Sequence, residues 1–202
     1  MEVAIVLFDG FDDLDAVGPL EVFGHAGSRL AVEAGLYTPE PRERVTSAHG
    51  LVLRPDGVLP VSPADVDLVV VPGGGWNAGA ATGVRAQVDS GCLPEALARL
   101  HERGVTVASV CTGAMLLAAA GLTSGRPAVT HHGATNELRA SGAEVVEARV
   151  VDTGDVLTAA GVTAGIDLAL HVLEREYGSE TATRVAETIA DERRGPVVTT
   201  EE

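Results

Sequence analysis

The feature that most constrains this chain is a set of continuous apolar runs separated by helix-forming stretches. Val3 to Phe8, Leu30 to Tyr37, Asp67 to Val71 and Val105 to Val110 are strand candidates, and several show no in–out alternation. Runs of that kind suit strands covered on both faces, as in a parallel sheet. Weaker strand candidates are Ala128 to Thr130, Val145 to Val151 and Val156 to Thr158. Between them lie predicted helices over Leu14 to Ala26, Arg85 to Arg103, Gly113 to Ala120, Thr135 to Ser141, Thr163 to Tyr177 and Thr181 to Arg193. This alternation predicts an α/β fold with a doubly wound, mostly parallel sheet, in which functional residues follow the carboxyl ends of strands.

The chain has 202 residues, 46% hydrophobic but only 3% aromatic, so Val, Leu, Ile and Ala must build the core. One domain over residues 1–193 is expected, with residues 194–202 a loose tail. The net charge of -15 argues against a phosphate-binding surface, so no nucleic acid partner is expected. All 14 basic residues are Arg and none is Lys, a bias compatible with a GC-rich genome or with a hydrated surface suited to high salt. No apolar run approaches the ~20 residues of a membrane span, and the apolar opening lacks the basic region and cleavage site of a signal peptide. Cys92 and Cys111 are too few for a disulfide framework and lack metal-ligand spacing, so a cytoplasmic setting with no metal and no cofactor is expected.

Three segments follow strands and could carry chemistry. Cys111 comes directly after Val105 to Val110 and is followed by Thr112-Gly113-Ala114-Met115, the layout of a nucleophile elbow. Backbone N–H groups at the helix start would favour its thiolate. Pro72-Gly73-Gly74-Gly75-Trp76 could pass close to a ligand and turn backbone N–H groups inward, as an oxyanion pocket requires. It lacks the Lys and Ser/Thr of a phosphate loop. Asp9 to Pro19 supplies Asp12, Asp13 and Asp15, with Glu21 further on; helix capping is the default for Asp12 and Asp13, and the residues alone do not choose which acid faces a site. His131 and His132 follow another short strand and could line a pocket. Cys92 and the remaining histidines have no motif around them.

Taken together, Leu14-Asp15 with Gly18-Pro19-Leu20-Glu21-Val22-Phe23, Val70-Val71-Pro72-Gly73-Gly74, Ser109-Val110-Cys111-Thr112-Gly113-Ala114, Gly125 to His132 and Ala160 to His171 resemble the ThiJ/PfpI family over nearly the whole chain. The resemblance implies a flavodoxin-like fold of the class I glutamine amidotransferase-like type, often dimeric, with the cysteine at the elbow. Protease-like and several glyoxalase-like members place His after the cysteine and Glu on the first helix; this chain has Thr112 and Asp15. An Asp in a Leu-Asp pair with Cys-Thr-Gly is the pattern of the isonitrile hydratase branch, and also of the sensor domains of AraC-like regulators. Such a regulator needs a helix-turn-helix region that this sequence lacks, so an enzyme is expected.

By that resemblance, Cys111 would attack an isonitrile carbon, Asp15 would supply a proton, and Thr112 would orient water or Asp15. Backbone N–H groups of Gly73, Gly74, Gly75, Thr112 and Gly113 would hold developing charge, and His131 and His132 would shape the wall. Thiol and carboxyl are expected to titrate as a pair. A small-molecule substrate and a homodimer are implied. The alternatives are a cysteine-based redox or small-molecule sensor of the same fold, and a cysteine hydrolase or glyoxalase-type enzyme.

Overall fold

The computed structural model describes residues 1–28 and 30–200. Its strands are β1 (Glu2–Val6), β2 (Glu33–Thr38), β3 (Val45–Thr46), β4 (Val52–Leu53), β5 (Gly57–Val58), β6 (Leu68–Val71), β7 (Thr106–Val110), β8 (Pro127–Ala128), β9 (Glu144–Val145), β10 (Val150–Asp152), β11 (Val156–Ala159) and β12 (Val197–Thr199). The helices are α1 (Asp13–Gly27), α2 (Val84–Ser90), α3 (Cys92–Glu102), α4 (Ala114–Ala119), α5 (Thr135–Ala140), α6 (Ala164–Tyr177) and α7 (Ser179–Thr188).

Eight strands form one sheet in the order β12-β10-β11-β7-β6-β1-β2-β5, parallel throughout except where β10 meets β11. The unbroken apolar runs explain its centre: every residue of β6 is buried, as are four of the five in β1 and in β7. Helices α1, α6 and α7 pack together over one face, and α2 to α5 cluster over the other. From β1 the chain winds outward to β2 and β5; from β6 it winds the opposite way to β7 and β11. The order therefore reverses between β1 and β6, and the loops after β1, β6 and β7 open on that crevice.

Three expectations are corrected. The predicted helix 85–103 is two helices, because Gly91 takes the left-handed conformation at φ 73° and caps α2 on the Val88 carbonyl. The expected strand 145–151 is split between β9 and β10, which belong to different sheets. Residues 194–200 are not a loose tail: β12 pairs in parallel with β10, and the Arg194 N–H donates to Asp167 Oδ1 at 3.0 Å. Residues 201 and 202 lie outside the described residues.

Helix α1 carries a proline in its interior. Pro19 has no N–H to donate to the Asp15 carbonyl one turn earlier, which loosens the helix there. Close packing compensates: a Cβ built on Gly18 would come within 3.2 Å of Ile166, and one on Gly165 within 3.3 Å of Pro19. Small residues in both helices thus let α1 and α6 approach closely above the sheet.

Candidate active site

Strand β7 delivers Val110 in extended conformation (φ -116°, ψ 139°), and the chain then reverses at Cys111, which has φ 57°. A left-handed conformation at a residue with a Cβ carries strain of order 1–2 kcal/mol. Here it is held by a short 3-10 turn, Cys111–Gly113, leading into α4, and by the Thr130 hydroxyl, which donates to the Cys111 carbonyl at 2.9 Å. The sharp turn expected of a nucleophile elbow is present.

The glycine loop locks onto that elbow. A Cβ on Gly73 would lie 2.6 Å from both the amide nitrogen and the hydroxyl of Thr112, and 2.9 Å from Asp15 Oδ2. Gly74, at φ 121°, presses against the loop after β1, where a Cβ would meet the Gly10 carbonyl at 2.4 Å. No larger side chain fits at either position. The Gly73 N–H donates to Asp15 Oδ2 at 2.8 Å, and the Gly74 N–H donates to Thr112 Oγ1 at 3.0 Å. This differs from the expected oxyanion arrangement, because both amides are already engaged in positioning Asp15 and Thr112. Gly75 turns away toward Thr82 and Gly83, and Gly113 packs on the Val71 and Pro72 carbonyls. The Thr112 N–H is the backbone donor that acts on the Cys111 sulfur.

Asp15 has no exposed surface. One carboxyl oxygen holds the Gly73 amide, and the other, Oδ1, is buried without a hydrogen-bonded partner. Burial, followed by the negative charge of Asp12, raises this carboxyl to about 8, against opposing contributions from the Gly73 amide and the Cys111 thiol. Burial and then the Asp15 charge push the Cys111 thiol up as well, while the Thr112 N–H alone among its neighbours favours the thiolate. Burial pushes both groups toward their protonated forms and opposes the expected resting thiolate, and each group's charge disfavours the other's. The Asp15 and Cys111 side chains act on each other directly, so the two titrate together.

The neighbouring acids do not act as expected. Asp12 occupies the N-cap of α1 but makes no side-chain cap, and its N–H donates to the Gly73 carbonyl at 2.9 Å. Its charge bears on Asp15, Cys111, His49 and His131. Asp13 binds the Ser47 hydroxyl at 2.7 Å and His49 Nδ1 at 2.8 Å, tying the turn between β3 and β4 to the start of α1. Glu21 points outward and meets His25.

His132 is exposed and His131 is half-buried, their rings 4.0 Å apart. Neither contributes to the titration of Cys111. His132 borders a groove of about 390 Å³ with Thr130, Arg139, Ala160 and Gly161. Among the described residues, no group of three or more His, Cys, Asp or Glu is placed to hold a metal ion. Asp12, expected as a helix cap, bears on the site through its charge, and Thr130 and Asn77, which meets His131, are neighbours of the site that sequence reasoning did not single out.

The order reversal, elbow and glycine loop agree with the family comparison, in which residues 1–175 of this chain match the DJ-1/PfpI family model. The chain belongs to the DJ-1/PfpI family. An isonitrile hydratase from Pseudomonas putida is 33% identical over 182 residues, covering 90% of this chain and 75% of its own length. A Parkinson disease protein 7 homolog from Danio rerio is 29% identical, covering 90% of this chain and 92% of its own. Among solved structures, a ThiJ/PfpI family protein from Pseudomonas syringae superposes with a TM-score of 0.83 at 27% identity, covering 96% of this chain and 76% of its own. Family members thus share the flavodoxin-like architecture described above.

Proposed function

We propose that this protein is an isonitrile hydratase, adding water to R–N≡C to give the N-substituted formamide R–NH–CHO. The observation that carries the reading is the buried acid–thiol pair: Asp15, held by the Gly73 amide, acts directly on the Cys111 thiol, and among the described residues no histidine is among the groups that act on that thiol. An isonitrile carbon must accept both a nucleophile and a proton. As the sulfur–carbon bond forms, Asp15 gives its proton to that carbon and takes up the proton leaving the thiol. The product is a thioimidate, R–N=CH–S–Cys111. Water then adds to the thioimidate carbon, the nitrogen gains a proton, and carbon–sulfur cleavage releases formamide and restores the thiol.

In this mechanism Thr112 positions the nucleophile: its N–H faces the sulfur, and its hydroxyl, fixed by Gly74, retains a proton to donate. The likeness to the Pseudomonas putida isonitrile hydratase supports the substrate class. An acyl-transfer hydrolase would need a base for Cys111, and no histidine acts on it. A small-molecule substrate, a cytoplasmic setting and a homodimeric state complete the proposal; light scattering on a sizing column tests the last.

Loss of the isonitrile infrared stretch across a varied isonitrile panel tests the reaction. Wild type is expected to turn over members of the panel, with turnover abolished in Cys111→Ala and Asp15→Asn. No turnover by folded, reduced wild type would overturn the proposal.

A further inference from the structure

The turn beyond the glycine loop reaches across to the segment following β8, and one side chain makes the bridge. Asn77 Nδ2 lies 3.1 Å from His131 Nδ1. The same ring nitrogen accepts the backbone N–H of Gly133 at 3.1 Å. A backbone amide can only donate, so Nδ1 is an unprotonated acceptor, Asn77 presents its NH₂ group, and the ring proton resides on Nε2. The fit is close: a Cβ on Gly133 would fall 2.7 Å from Asn77 Nδ2, so Gly133 is what leaves room for the amide.

We propose that Asn77 is a positioning residue that, with the Gly133 amide, fixes His131 as its Nε2–H tautomer, making this histidine a hydrogen-bond donor to substrate instead of a base for Cys111. The assignment to a substrate role rests on the hydratase reading; the tautomer does not. A histidine that serves as a base has its second nitrogen backed by an acceptor, commonly a carboxylate. His131 has two donors there, and with Nε2 already protonated it has no lone pair free to receive the thiol proton. Two charged or titratable groups face the ring: His132, tilted 35° against it, and Asp12 at the N-cap of α1. Burial and then His132 hold His131 below the usual imidazole range, against the pull of Asp12.

A donor suits the chemistry. An isonitrile nitrogen has no available lone pair, but the thioimidate nitrogen has a basic one. A hydrogen bond from Nε2 would therefore strengthen as the intermediate forms, which is the differential binding that raises kcat. His131 directly follows Thr130, whose hydroxyl donates to the Cys111 carbonyl, so the segment that carries this histidine is tied to the elbow.

Long-range proton–nitrogen correlation spectra of protein labelled with ¹⁵N-histidine test the assignment, with His131 identified by its loss in His131→Gln. Wild type is expected to show the Nε2–H pattern near pH 7. Asn77→Asp replaces a donor with a carboxylate and is expected to shift the proton to Nδ1, raising the protonation midpoint by about one pH unit or more. In isonitrile turnover the same variant should lose kcat by roughly 10²-fold with KM little changed. Should Asn77→Asp not fold, Asn77→Leu removes one donor and should yield a mixture of tautomers. An Nδ1–H pattern in wild type, or a tautomer and midpoint unchanged in the folded variants, would overturn the proposal. The expected tautomer shift in a protein that hydrates no isonitrile supports the positioning assignment and defeats the hydratase reading alone.

Discussion

Asp15 is pushed toward its acid form because the fold removes the water that would solvate its charge. The sign of the linkage is unusual for an aspartate. Its folded value, about 8, lies above its ordinary value of 3.8, so the folded state binds the proton more tightly. Any stability gained from the neutral carboxyl is present below the unfolded value and is lost as pH rises from about 4 to about 8. Asp15→Asn should therefore stabilise the protein at pH 8 by up to a few kcal/mol, with little gain at pH 4, as read by thermal or urea unfolding at the two pH values. Gly73→Ala should fail differently: its methyl would meet Thr112 and Asp15, lowering turnover by about 10²-fold or more through misplacement of the pair. Cys111 was legible because small residues after a buried run mark an elbow. The choice of Asp15 among four acids needed the family resemblance. A physical signal was nonetheless present, since Asp15 shares the buried face of α1 with Ala16, Pro19, Val22, Phe23 and Ala26, whereas Glu21 lies off it.

At the scale of elements, the central strands were readable because burial on both faces leaves an unbroken apolar signature. The hairpin β3–β4 and the edge strands β5 and β12 are two or three residues long and were missed, since no periodicity develops over that length. The glycine amides were misread because sequence shows that a backbone can approach a ligand, but not which acceptor it finds. Strand β12 is anchored at both ends: the Arg149 N–H donates to the Pro196 carbonyl at 3.0 Å, and the Thr200 N–H to the Asp152 carbonyl at 3.1 Å. Removal of residues 195–202 uncovers the edge of β10. It should lower the thermal midpoint by several degrees, at roughly 2–4 °C per kcal/mol for a domain of this size, while leaving Cys111 alkylation rates unchanged. An unchanged melting curve would show that β12 contributes nothing to stability.

For the whole molecule, 29 acidic residues against 14 arginines leave strong self-repulsion that salt can screen. Several arginines are held in ion pairs, including Arg149 with Asp167 and Arg175 with Asp152, so the excess carboxylates dominate the outer field. The thermal midpoint should rise as KCl increases, and a flat or falling curve would count against an adaptation to high salt. The doubly wound topology places the candidate site in one crevice, where loops after three strands converge. Among the described residues, no helix is long and apolar enough to cross a membrane.

The central claim is that Asp15 stands protonated beside Cys111 near neutral pH. Difference infrared spectra of wild type minus Asp15→Asn, taken across pH 5 to 10, read this carboxyl directly. The account predicts a protonated carboxylic acid band at pH 6.5 that disappears as pH passes through about 8. A carboxylate signature already complete at pH 6.5 would contradict it.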